Sequence, residues 1–298
     1  MVWGWPLAPA DLFNEHIHFA ESFEIPLKST WCAHHNLRNL DKRLKIGFVS
    51  ADFRSHAVAT FIAPIFANYD KSQFEIYCYY NHAQHDAVTD RIQAQVDHWR
   101  ACLRLSDEQL ATCIRSDGID LLVDLSGHTG GNRLLTFARK PAPIQITYLG
   151  YPGTSGLSAM DFRITDSYAD PDGSEQFYSE KLLRLPDSLC CYMPAPDMPK
   201  VSRLPASTNG FLTFGSFNNS NKIDQQAIAL WAQILVALPS SRIIMVTIPE
   251  GERSDWILEH FEHAGVSSDR IDFYGTLPAW DFHHLFQQVD IALDPLLI

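Results

Sequence analysis

The sequence has no apolar run of about 18 residues, so nothing in it reads as a membrane-spanning helix. Its opening, MVWGWPLAPADLF, has neither a basic n-region nor an apolar core and does not read as a secretory signal. No Cys-x-x-Cys pair occurs among the six cysteines (Cys32, Cys78, Cys102, Cys113, Cys190, Cys191). Several lie beside apolar residues, where a free thiol acts as a small hydrophobe, so reduced thiols and a cytoplasmic location are expected. The thirteen histidines are scattered. His16 and His18, His34 and His35, and His283 and His284 form pairs, but no Cys or carboxylate cluster accompanies them, and no metal is expected. Positive charge is scarce, 23 Lys and Arg against 35 Asp and Glu, a net −12. That disfavours a nucleic-acid backbone as partner, though not a local basic pocket. Gly-x-Ser-x-Gly, Gly-x4-Gly-Lys-[Ser/Thr] and His-Glu-x-x-His are all missing, against an α/β-hydrolase, a P-loop NTPase and a zincin. No Gly-x-Gly-x-x-Gly follows the first strand, against a dinucleotide redox enzyme.

What is present is α/β patterning. The chain has 298 residues and 46% hydrophobic content, with no low-complexity tract, which suits two well-formed cores. Residues 45–56, KIGFVSADFRSH, anchor the reading. The run from Ile46 to Val49 is too short for a helix and suits a buried parallel strand. It gives way to Ser50, Ala51 and Asp52, and a helical segment starts near Ala57. That order puts Asp52 and His56 at a sheet's carboxyl edge, where open α/β sheets bind ligands. Asp52 equally suits a helix N-cap, and His56 an ordinary surface position.

Residues 8–24 predict a helix with Phe13, Ile17, Ala20 and Phe23 on one stripe, read as an ordinary packing helix. From Lys45 the chain alternates. Strands are expected at 46–50, 74–80, 119–125 and 143–150, and helices at 57–69, 87–99, 107–117 and near 132–138. Residues 166–209, rich in Pro, Asp and Ser, read as the junction. A second alternation follows, with strands at 211–216, 242–248, 271–274 and 289–293 and helices at 224–237, 253–264 and 280–288. Strands alternating with helices indicate parallel, doubly wound sheets. The expected organisation is a linking segment 1–44, a Rossmann-like domain 45–205, and a second Rossmann-like domain 206–298. The last stops just after a strand, so it is expected to be incomplete.

Three loops fall at strand ends in the first half: ADFRSH (51–56), SGHTGG (126–131) and GYPGTSG (150–156). Two are glycine-rich, which lets backbone N–H groups approach an anion and points to a phosphate or diphosphate. The second half offers GSFNNSNKID (215–224), with Lys222 just before a helix whose cap would be Asp224. Lys222 could neutralise a diphosphate across a cleft between the domains, or be a solvated lysine. Two such halves suit a two-domain nucleotide-sugar glycosyltransferase.

KIGFVSADFRSH, DLLVDLSGHTGGNRL, ARKPAPIQITYLGYPGTSG, MDFRITD, YSEKLLRLP and FGSFNNSNKID, in this order, resemble the catalytic region of protein O-linked N-acetylglucosamine transferases, a region shared by plant SPINDLY-like proteins. The resemblance runs from about residue 10 to the end. It implies a GT-B type enzyme that transfers N-acetylglucosamine from UDP-GlcNAc to Ser or Thr hydroxyls of acceptor proteins, inverts at the sugar and needs no metal. It places His56 and Asp52 at the active site. Gly131, Leu149, Gly150 and Pro152 would line the sugar and acceptor pocket, and Asn219 and Lys222 would contact the diphosphate. His56, Asp52 or a donor phosphate oxygen could be the general base. The helix at 8–24 resembles the family's link to its tetratricopeptide repeats, which are not seen here.

Two departures stand out. The family continues past Leu293-Asp294-Pro295 into a Pro-Tyr-Asn-Gly stretch and a Thr-rich loop that holds the donor phosphates, whereas here Leu296, Leu297 and Ile298 follow. Ala279 and Phe282 stand where some members carry a lysine and a histidine near the uracil. Part of the donor site is thus expected to be missing. A fucosyl- or glucosyltransferase on the same scaffold, and a non-catalytic protein-binding fragment, remain the alternatives.

Overall fold

The apolar stripe of residues 8–24 produces helix α1 (Pro9–Phe23), with its proline in the first turn, where a backbone N–H is dispensable. A 3-10 segment, Ile25–Thr30, follows. The computed structural model describes residues 8–37, 39, 41–194 and 198–295. The described chain divides into two compact units between Met193 and Pro194, inside the Pro-, Asp- and Ser-rich stretch and ahead of residue 205. Helix α1 belongs to the first unit.

That unit continues through β1 (Leu44–Ser50), α2 (Ala57–Asn68), β2 (Phe74–Tyr80), α3 (Ala87–Gln95), β3 (His98–Ala101), α4 (Asp107–Asp117), β4 (Leu121–Asp124), the single turn α5 (Leu134–Phe137), β5 (Ile144–Thr147), β6 (Phe162–Asp166) and β7 (Lys181–Leu185). The seven strands are all parallel, in the order β3-β2-β1-β4-β5-β6-β7. Alternation along β1 sends Phe48 and Val49 to opposite faces. Val49 joins Tyr79, Leu122, Leu110 and Phe137, while Phe48 joins Ile76, Val123, Ile62 and Phe66. Burying a side chain such as Ile62 contributes roughly 2 kcal/mol.

One expectation fails here. The helix expected at 87–99 ends at Gln95, because His98–Ala101 form a strand instead. The edge strand is held by side chains, with His98 stacked on Tyr77 at 4.0 Å and bonded to Glu75 at 2.7 Å. The stretch 166–209, read as the junction, also carries regular structure, since its start completes β6 and it contains β7. Strand β6 is hidden in sequence by polar residues that are buried and paired, with Arg163 set 3.3 Å from Asp170.

The second unit contains α6 (Ala206–Asn209), β8 (Thr213–Ser216), α7 (Gln225–Ala237), β9 (Arg242–Val246), α8 (Glu252–His263), β10 (Ile271–Tyr274), α9 (Ala279–Leu285) and β11 (Ile291–Ala292). Its parallel sheet runs β10-β9-β8-β11. Trp231 and Leu235 of α7 and Phe261 of α8 close over Phe214, Ile243 and Met245. The strand expected at 289–293 keeps only two residues, paired with Phe214 and Gly215. In each sheet the first strand is flanked by strands that the chain reaches by winding in opposite directions. The carboxyl ends of β1 and β8 therefore each lie at a topological switch point, where doubly wound sheets bind ligands. No helix among the described residues is long and apolar enough to cross a membrane.

Candidate functional site

At the carboxyl end of β1 the chain turns through Asp52, whose N–H donates to Ser50 Oγ at 2.9 Å. Asp52 is 7% exposed, and its Oδ1 lies 3.2 Å from Arg54 Nη2. The residue that caps α2 is His56, not Asp52: Val58 N–H donates to His56 Nδ1 at 3.2 Å. A backbone N–H can only donate, so Nδ1 carries a lone pair and the neutral ring holds its proton on Nε2. The same Nδ1 is 3.8 Å from Asp52 Oδ2. His56 is half-exposed, with Nε2 not engaged by the cap.

The SGHTGG turn at the end of β4 is organised by Asp124. This fully buried carboxylate accepts from the N–H groups of Ser126 at 3.0 Å and Gly127 at 2.8 Å, and from Thr147 Oγ1 at 3.1 Å. Burial pushes its carboxyl up to about 6, against the pull of those bonds. Gly131 is tied to the end of β2: its carbonyl accepts from Asn81 Nδ2 at 2.7 Å, and Arg133 holds Asn81 Oδ1 at 2.8 Å. After β5 comes Leu149, a non-glycine residue at φ +63°, a costly conformation of the kind that concentrates at binding sites. Gly150 follows because a Cβ there would lie 1.9 Å from the Leu125 carbonyl oxygen. The carbonyl of Pro152 accepts from Tyr178 Oη at 3.3 Å. The first unit thus brings Asp52, His56, Gly131, Leu149, Gly150 and Pro152 to one sheet edge, on loops following β1, β4 and β5.

Sequence reasoning missed the carboxylates that hold these loops. Glu180 is 4% exposed and accepts from Thr154 Oγ1, Ser155 N and Ser155 Oγ. Glu24, 2% exposed, accepts from Ser158 N at 3.0 Å, Ser158 Oγ at 2.8 Å and Ala159 N at 2.6 Å. Helix α1 is therefore part of the loop scaffold rather than a plain packing helix. His16 Nε2 accepts from Tyr151 Oη at 2.9 Å, and its ring lies 4.4 Å from that of His128. His128 Nε2–H donates to Ser155 O at 2.9 Å. Burial lowers His128 to about 4, so the ring is neutral at pH 7. The only signal in sequence was the position of Glu24, an acidic residue at the end of an apolar stripe.

In the second unit the loop after β8 carries Asn218 and Asn219 and then a 3-10 turn, Ser220–Lys222. Asn219 Oδ1 accepts from Asn221 N at 3.0 Å, which starts the turn. Asp224 caps α7 through Ala227 N at 2.8 Å, as expected. Arg253 of α8 clasps the turn from behind, its Nη2 donating to the carbonyls of Ser220 and Ile223. Its guanidinium stacks over Trp256 at 4.6 Å. Thr247, at φ +62°, donates to Asn218 O at 2.6 Å. Asn219 and Lys222 thus sit on a braced turn at the second switch point. Among the described residues no group of three or more His, Cys, Asp or Glu is placed to hold a metal.

Residues 17–192 match Glycosyl transferase family 41. The chain is 39% identical over 268 residues to a Petunia hybrida protein named "Probable UDP-N-acetylglucosamine--peptide N-acetylglucosaminyltransferase SPINDLY", an alignment covering 87% of this chain and 28% of that one. A mutant of Thermobaculum terrenum O-GlcNAc transferase superposes with a TM-score of 0.91 at 34% identity, covering 99% of this chain and 56% of that one. Anabaena HepE, solved with UDP and glucose, is similar in fold alone, at a TM-score of 0.50 and 12% identity over 84% of this chain and 73% of that one. The chain spans less than a third of the Petunia relative's length. The fold is GT-B.

Proposed function

The chain belongs to Glycosyl transferase family 41, and from that premise we propose that it forms the catalytic core of an inverting transferase moving N-acetylglucosamine from UDP-GlcNAc to Ser or Thr hydroxyls of acceptor proteins. The observation that carries this is the likeness to Thermobaculum O-GlcNAc transferase over 99% of the chain. The first unit's switch-point loops supply the residue types such a reaction needs.

Inversion requires a hydroxyl to attack the anomeric carbon as UDP departs, with a proton lost from the hydroxyl and charge growing on the diphosphate. The cap from Val58 leaves His56 with a proton on Nε2, so His56 suits hydrogen-bond donation to substrate oxygens better than proton abstraction. Asp52, with Oδ1 held by Arg54, keeps Oδ2 as a candidate base, and a donor phosphate oxygen is the other. Gly131, Leu149, Gly150 and Pro152 shape the sugar and acceptor pocket in this reading. Lys222 stabilises the leaving diphosphate, with Asn219 beside it, and no metal is assigned. Six unbridged cysteines suit action in the cytoplasm.

The test is transfer of labelled sugar to a Ser/Thr peptide, with UDP-GlcNAc, UDP-glucose and GDP-fucose compared as donors. Transfer from UDP-GlcNAc that is lost in Lys222→Ala and His56→Ala supports the reading. Transfer from GDP-fucose or UDP-glucose alone overturns the sugar assignment. No calorimetric binding of any nucleotide sugar overturns the enzyme assignment.

A further inference from the structure

The opposite edge of the first sheet carries a cavity of about 520 Å³ that the transfer reaction does not use. Its floor is the amino end of β1 and β4, at Lys45, Ile119 and Asp120, and Pro141 ahead of β5 forms a wall. Residues 32–37 strap across it. Asn36 fastens the strap by donating from Nδ2 to Gly118 O at 3.2 Å, Ile119 O at 3.1 Å and Asp120 Oδ1 at 2.7 Å.

The lining carries four cations, Lys42, Arg43, Lys45 and Arg115, against one acid, Asp120, in a chain of net charge −12. Lys42 is neutralised by Asp120 at 2.5 Å, and Arg43 lies 3.5 Å from Asp97. Lys45 and Arg115 are held differently. Lys45 Nζ donates to the Asp117 carbonyl at 2.9 Å, and Arg115 Nη2 donates to the Arg139 carbonyl. Glu75, the acid near Lys45, is engaged by His98 and Tyr77. Arg115 and Lys45 thus each meet a backbone carbonyl, and Lys45 also faces the Tyr77 ring at 5.5 Å and the charge of Glu75. Burial, and then the charges of Lys140 and Arg115, lower His34, with Asp161 acting the other way. The rest of the lining includes Ala33, Leu37, Ile119 and Pro141, which offer apolar surface.

We propose that this cavity binds a small organic phosphate monoester, with the phosphate on Lys45 and Arg115 and the apolar remainder against Leu37 and Pro141. A monoester carries about −1.5 to −2 at pH 7, which matches the two cations. The cavity volume falls in the range of small-molecule sites. An inorganic anion would leave the apolar wall unused, and a neutral ligand would leave the cations unmatched.

The test is calorimetry on this chain with phenyl phosphate, inorganic phosphate and benzyl alcohol, with and without added UDP. Phenyl phosphate is expected to bind saturably in the millimolar range or tighter, inorganic phosphate more weakly, and benzyl alcohol not at all. Arg115→Gln is expected to weaken phenyl phosphate about tenfold or more, the usual scale for a charge-assisted contact. Leu37 is 76% exposed, so Leu37→Asp leaves folding intact while setting a negative charge in the cavity, and it is expected to weaken binding by a similar factor or more. Absence of saturable binding overturns the proposal, as does unchanged affinity in Leu37→Asp or displacement by UDP. None of these outcomes depends on the transfer reading.

Discussion

His56 Nδ1 and Asp52 Oδ2 stand 3.8 Å apart at the end of β1, and the same nitrogen caps α2 by accepting from Val58 N–H at 3.2 Å. One ring thus does a structural job and a proposed chemical one, and the two can be separated. His56→Ala removes both: it is expected to cost about 1 kcal/mol of stability through the lost cap and to lower transfer by about 10²–10³-fold through the lost hydrogen-bond donor. His56→Ser restores an N-cap oxygen without the imidazole. Urea melts should show His56→Ser regaining most of the lost stability while transfer stays low. Near wild-type transfer by His56→Ser would remove the imidazole from the chemistry.

Arg253 holds the turn that carries Lys222 through two carbonyls at once, those of Ser220 and Ile223. A lysine is a point donor without the planar fork. Arg253→Lys is therefore expected to raise the KM for UDP-GlcNAc about tenfold with little change in Tm, since about 1.4 kcal/mol of lost binding is a factor of ten. An unchanged KM would show that the clasp does not position the turn.

The strand-turn-helix order around Asp52, His56 and Lys222 was legible because short buried strands and the helices after them leave a periodic trace. The strand at His98–Ala101 was not, because an exposed edge strand held by His98–Glu75 and Arg100–Asp117 pairs has no apolar alternation to read. Nor was Phe162–Asp166, whose buried Arg163 and Thr165 look like loop composition until Asp170 is seen to satisfy both. The loop-holding carboxylates were invisible for another reason. Glu24 reaches residues 134 and 135 positions away, a pairing that no local pattern encodes.

That reach makes α1 testable. Glu24→Ala leaves the buried N–H of Ala159 without its carboxylate, at about 1–3 kcal/mol, and removes the bonds to the more exposed Ser158 as well. Gly156→Ala acts from the other side, since a Cβ there would lie 2.2 Å from the His16 carbonyl oxygen, at φ +76°. Both variants are expected to loosen α1 from the 154–159 loop and to speed proteolysis between residues 24 and 31. Wild-type cleavage rates in Gly156→Ala would refute the close approach.

The loops should also answer to acid, through two groups of opposite sign. His128 falls from 6.5 to about 4 on folding because burial disfavours its charged form. The unfolded chain then binds the extra proton first as pH falls. The stability this histidine contributes is complete above pH 6.5 and is lost on the way down to about 4, on the order of 3 kcal/mol. Asp124 rises from 3.8 to about 6, again through burial. Its folded form keeps a proton that the unfolded chain has released, so its contribution grows as pH falls from about 6 to 3.8. The two partly cancel in the wild type, and substitution separates them. Comparing urea melts at pH 7 and pH 4.5 within each variant, His128→Gln should lose less stability on acidification than the wild type, and Asp124→Asn should lose more. If His128→Gln shows the wild-type pH difference, the imidazole between His16 and Ser155 is not held neutral.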